Sequence, residues 1–235
     1  MLAGVELLRA YRQRVAEGQA DHPDLPGLDK MIAFGEAWDP QIIPSGAGGF
    51  SPEQYQGLES IGFTFAIDIQ ALSLGQLSQD PISSRLFDYI TDIEQLRNIA
   101  PTARQVAVNP KQPYVEGSQD LGYDDQREMA DRVVRNLRGT CLKKGTLEGV
   151  DFTPDKASVL SQLDFAHQAR FNGQKLYPDY FIRSEDEYDH PRFGPSVTLV
   201  GRSHPSDPLI VRGWFRSNHF PGLGLSLVAT PSGSR

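Results

Sequence analysis

Seven consecutive residues, Ser184-Glu185-Asp186-Glu187-Tyr188-Asp189-His190, gather four carboxylates and an imidazole. Carboxylate oxygens suit hard cations, and a carboxylate beside an imidazole can orient it as a general acid or base. His190 is thus the candidate acid or base of an enzyme such as a metal-assisted hydrolase, with Asp186 or Asp189 as orienter or metal ligand. The run lacks the glycine of a calcium-binding loop, and no two histidines in the chain stand at metal-ligand spacing. It therefore reads first as a solvated acidic loop, and no metal is assigned.

The second constellation is cationic. From Arg192 to Arg235 there are five arginines and one acid, Asp207. That segment carries a formal +4, which leaves −11 on the rest of a chain whose net charge is −7. Within Leu209 to Phe215 the two-residue period of a strand puts Leu209, Val211, Gly213 and Phe215 on one face and Arg212, Trp214 and Arg216 on the other. Arg202, at the end of the neighbouring strand, is expected to join them. Guanidinium forks match carboxylate or phosphate groups, and an indole between them offers a stacking surface. The competing reading has Trp214 packed under a helix or loop, or merely covered by arginine stems whose heads remain in water.

Other residues carry weaker signals. Pro44-Ser45-Gly46-Ala47-Gly48-Gly49-Phe50 leads into a helix start but lacks the lysine and hydroxyl of a phosphate-binding loop. His167 stands three residues after Asp164 on an expected helix beside Leu160 and Leu163, as a packing histidine often does. Cys141, the single cysteine, precedes Lys143 and Lys144 but has no assignable partner histidine. No Gly-x-Ser-x-Gly, Cys-x-x-Cys, His-Glu-x-x-His or Gly-x-Gly-x-x-Gly element occurs, so no cofactor is assigned.

Composition bounds the setting. At 39% apolar and 23% charged, 235 residues can bury roughly 70% of the surface of the unfolded chain without disulfides or metal. The net negative charge disfavours unaided binding to bulk duplex nucleic acid or an anionic membrane. A single cysteine excludes an internal disulfide, the first residues lack the apolar run of a signal peptide, and no run approaches the roughly 18 apolar residues that span a bilayer. The expectation is a soluble, cytoplasmic protein.

The elements that position these residues follow from periodicity. Helices are predicted over 2–17 and 28–37 and from the Ser51 cap, where Pro52 and Gln54 complete a capping box, to before Gly62. Leu86, Tyr89, Ile90, Ile93 and Leu96 trace a further helical stripe, and Asp124–Leu137 another. Thr153, Pro154 and Asp155 mark a helix start that runs to Asn172-Gly173, with Val159, Leu160, Leu163 and Ala166 inward and Lys156 and Gln162 outward. Strands are predicted over 63–72, 105–108 and 146–150, then over 197–201, 209–215 and 223–227, with 177–195 a loop. The fold class is α+β: a single domain, helical over about 1–175, with about five helices and a mixed sheet ending in a three-stranded antiparallel meander over about 195–230.

Three functional readings follow. The leading one is a non-catalytic intracellular protein that binds an anionic small molecule or acidic partner through Arg202, Arg212, Trp214 and Arg216. The second is the enzyme built on His190, Asp186 and Asp189. The third is a structural subunit with Trp214 at a protein interface.

Overall fold

A computed structural model describes residues 49–80, 83–91, 93–141, 147–192 and 194–233, together with Arg12, Gln13, Ala16 and Glu17. The helix expected over 28–37 and the stretch 44–48 lie outside the described residues, as does nearly all of the helix expected over 2–17.

Among the described residues there are five α-helices and two sheets, an α+β fold. The helices are α1 (Pro52–Ser60), α2 (Leu74–Gln79), α3 (Glu94–Asn98), α4 (Tyr123–Cys141) and α5 (Ala157–Arg170). The strands are β1 (Phe65–Ile69), β2 (Phe87–Ile90), β3 (Arg104–Val108), β4 (Val150–Thr153), β5 (Phe181–His190), β6 (Gly194–Gly201), β7 (Leu209–Phe215), β8 (Leu223–Leu225) and β9 (Val228–Pro231). One sheet has the order β1-β3-β9-β4 and is antiparallel throughout; the other, β2-β7-β6-β5-β8, is mixed.

Local signals explain several elements directly. Ser51 accepts from the Gln54 N–H at 3.2 Å while the Ser51 N–H donates to the Gln54 amide oxygen at 2.8 Å, the expected reciprocal cap of α1. Ser73 and Gln76 repeat this box at α2, which the sequence reading passed over. In β1, Phe65, Ile67 and Ile69 are buried and Ala66 and Asp68 only partly so, the period of a half-buried strand.

The central helix α5 packs against β1 of one sheet and β5 and β6 of the other. It is therefore buried all round from Ala157 to His167. Val159, Leu160, Leu163 and Ala166 lie in the core as expected, but Gln162 is not outward. It bridges to the end of β1, accepting from the Gln70 N–H at 3.0 Å and donating to the Gln70 carbonyl at 3.1 Å. Those bonds satisfy polar groups that burial would otherwise leave costly.

Three apolar clusters flank the sheets. Leu209 and Val211 of β7, Val200 of β6 and Phe65, Ile67 and Val106 of the other sheet meet around α5. Val197 and Leu199 of β6, on the opposite face, meet Tyr123 and Ala130 of α4, with Leu223 and Leu225. A third cluster, with Leu58, Val150 and Phe152, covers the outer face of the four-stranded sheet. At Gly213, where β7 faces Tyr188, a Cβ would come within 1.7 Å of the tyrosine Oη, so only glycine admits that ring.

Four predicted elements take other forms. The stripe from Leu86 to Leu96 divides into a 3₁₀ turn (Ser83–Leu86), β2 and α3, because β2 pairs parallel with β7 along the sheet edge. The supposed loop over 177–195 contains the ten-residue β5. The antiparallel meander is accordingly β5-β6-β7, while Leu223–Leu225 returns to lie parallel to β5. Finally, Thr153 ends β4 rather than capping α5, and the chain pairs there with Val228 of β9.

Candidate functional site

The alternation read in β7 holds, and it places Arg212 opposite Leu199 and Trp214 opposite Val197, on the face covered by α4. Arg212 lies with its guanidinium carbon 4.9 Å from the centre of the Phe181 ring and 4.5 Å from that of Trp214. Its Nε is buried without an acceptor, and among the described residues its side chain has no hydrogen-bond or ion-pair partner. Burial pushes its pKa down, since low polarity disfavours the charged form. The Trp214 indole N–H is likewise buried with no acceptor among the described residues, and its ring approaches Phe220 at 6.4 Å between centres.

Arg216 differs in being neutralised. It donates to Asp124 at the start of α4, at 3.0 and 2.5 Å, pairs with Glu187 of β5, and lies 5.2 Å from the Tyr123 ring centre. The bond to Asp124, with the charge of Glu187, holds its pKa above the ordinary value. Sequence reading found Arg216 but not these partners, which come from elements distant in the chain.

It also missed Arg183. Fully buried in β5, this guanidinium donates to the Leu121 carbonyl at 3.0 Å, to the Gln126 amide oxygen at 2.9 Å and to the Asn218 carbonyl, with no ion pair among the described residues. Burial lowers its pKa to about 10, against the opposing pull of Tyr123 and Asp124. Arg183 ties the loops before α4 and after β7 to the sheet, and so fixes the surroundings of Arg212.

Arg202 does not join this face. It is fully buried and forms a two-pronged pair with Asp164 of α5, at 2.9 and 2.5 Å, and also donates to the carbonyls of Tyr177 and Asp207. With its donors spent on the core, it is a structural cation. Asp164 also bonds Gln168 and the Leu176 N–H, and His167, three residues after it, packs into the core as expected. His167 Nδ1 meets the Gln174 carbonyl at 2.8 Å, its ring packs edge-on against Phe65, and burial lowers its pKa.

The acidic run is not brought together. Asp186 is 7% exposed and accepts the first N–H of α5, from Ala157, at 2.6 Å. Burial raises its pKa, opposed by that bond. Asp189 is exposed near the end of β5, and His190 accepts at Nδ1 from the Arg192 N–H within the following turn. Glu187 belongs to Arg216. Among the described residues no three His, Cys, Asp or Glu side chains converge as metal ligands would. Cys141 closes α4, and its side chain, with Lys143 and Lys144, lies outside the described residues.

Two surface hollows lie apart from both constellations. One of about 430 Å³ is lined by Ile61, Phe63, Val133, Leu137 and Leu227, with Glu116 at its edge. Another of about 320 Å³ lies by Arg138, Gly149 and Asp151. No helix among the described residues is long and apolar enough to cross a membrane. No protein-family model, curated protein or solved structure matches this chain.

Proposed function

We propose that this protein binds an anionic small molecule at the face of β7, with Arg212 as the anchoring cation, Trp214 as its apolar wall and Arg216 at the margin. The observation that carries the reading is the half-buried guanidinium of Arg212, which lies against two aromatic rings and has no hydrogen bond or ion pair among the described residues, whereas the buried Arg104, Arg183 and Arg202 are all hydrogen-bonded. Its outer N–H groups face water in the unbound protein, and an oxyanion in place of that water makes charge-assisted hydrogen bonds to them. An enzyme built on His190 gains no such support, since Asp186 serves the start of α5 and Asp189 stands apart from it.

The test is calorimetric titration of carboxylates and phosphates into the wild type and Arg212→Ala. Loss of the charged hydrogen bonds should weaken binding by about 1.5–3 kcal/mol, and added salt should weaken the wild-type complex further. Equal affinity in both proteins, or no binding of any anion, would remove the proposal.

A further inference from the structure

We infer that the site selects a compact monoanion, a single carboxylate held edge-on by Arg212, and that Asp124 and Glu187 turn polyanions away. This rests on the anion-binding reading above and narrows it to one ligand class.

The first support is which part of Arg212 remains available. The Phe181 and Trp214 rings engage its guanidinium at 4.9 and 4.5 Å, and its Nε is buried, so the outer N–H groups are what a ligand can reach. Parallel N–H bonds in the guanidinium plane match the two oxygens of a carboxylate. The two rings also restrain the side chain beforehand, which lowers the entropy lost on binding.

The second support is the charge around Arg216. This cation is shared by two carboxylates, Asp124 and Glu187, whose side chains are 76% and 44% exposed. The trio is net negative. Four residues of strand separate Arg212 from Arg216 by roughly 13 Å along the backbone, beyond the roughly 8–10 Å over which charges act at ordinary salt. A ligand of one carboxylate at Arg212 is thus outside their reach, whereas a longer polyanion extending along β7 meets unfavourable charge. Like-charge juxtaposition of this kind is a common source of selectivity.

The experiment uses the full chain with Trp38→Phe, leaving Trp214 as the single tryptophan reporter. Benzoate, inorganic phosphate and tripolyphosphate are titrated at constant ionic strength while Trp214 fluorescence is followed. Benzoate should bind at least about tenfold more tightly than tripolyphosphate, and Arg212→Lys, which keeps the charge but loses the fork, should weaken benzoate about tenfold. Asp124→Asn with Glu187→Gln should bring tripolyphosphate to within about threefold of benzoate; Glu187→Gln alone serves if the double variant does not fold. Tripolyphosphate or phosphate binding the parent as tightly as benzoate overturns the selection while the anion site stands. No saturable response to any of the three overturns both.

Discussion

Arg202 and Asp164 form a two-pronged ion pair, 2.5 Å at its shorter contact, with both side chains fully buried. It joins the end of β6 to the middle of α5 across 38 residues of sequence. Removing one member strands the other as an uncompensated charge in the core, so Arg202→Ala should cost about 3–5 kcal/mol in denaturant unfolding. Anion binding by whatever fraction remains folded should be unchanged. A loss under about 1 kcal/mol would mean that Arg202 is not committed as described.

The central position of α5 gives a second expectation. Leu163→Ala should destabilise by about 2–5 kcal/mol, as deletion of a fully buried leucine does. Gln162→Ala should cost about 1–3 kcal/mol by leaving the Gln70 backbone groups without partners. Chemical denaturation checks both, and a near-neutral Gln162→Ala would place this side chain in water.

Two buried titratable groups give stability opposite dependences on pH. Burial lowers the pKa of His167 from 6.5, so the folded state resists its protonation. Its contribution is complete above about 6.5 and is lost as the pH falls through the lowered value. Burial raises the pKa of Asp186 from 3.8, so the folded state holds that proton more tightly. Its contribution is present below about 3.8 and is lost as the pH rises through the raised value. His167→Asn should therefore flatten the destabilisation seen on acidification below about pH 6.5. Asp186→Asn, which keeps an oxygen for the Ala157 N–H, should remove a loss of stability with rising pH above about 4. Unfolding free energies measured across pH 4–8 read both slopes; variants that parallel the wild type would contradict these assignments.

What could be read from the sequence was local. The Ser51 cap needs only residues three apart, and the faces of β7 need only alternation, so Arg212 and Trp214 were found together. Arg202 was misplaced because a neighbouring strand end says nothing of a carboxylate 38 residues earlier. Asp186 looked like part of an acidic loop because its role depends on β5 crossing the start of α5, where it takes the capping task that Thr153 seemed to have. Asp155, counted as a helix-start acid, is instead paired with the buried Arg104 at 2.5 Å. β2 was misread because Leu86, Tyr89 and Ile90 fit helical spacing, while the parallel edge of β7 imposes a strand.

The central claim is that Arg212 itself meets the anion. In protein labelled at arginine nitrogens, the Nε–H resonance of each guanidinium reports its own surroundings, and the most direct measurement follows those signals while benzoate is added. The account predicts a saturable shift of the Arg212 signal, with the same affinity as the Trp214 response, while Arg183 and Arg202 stay fixed by their existing partners. An Arg212 signal that does not move while Trp214 fluorescence saturates, or one that drifts without saturation alongside the exposed arginines, would contradict it.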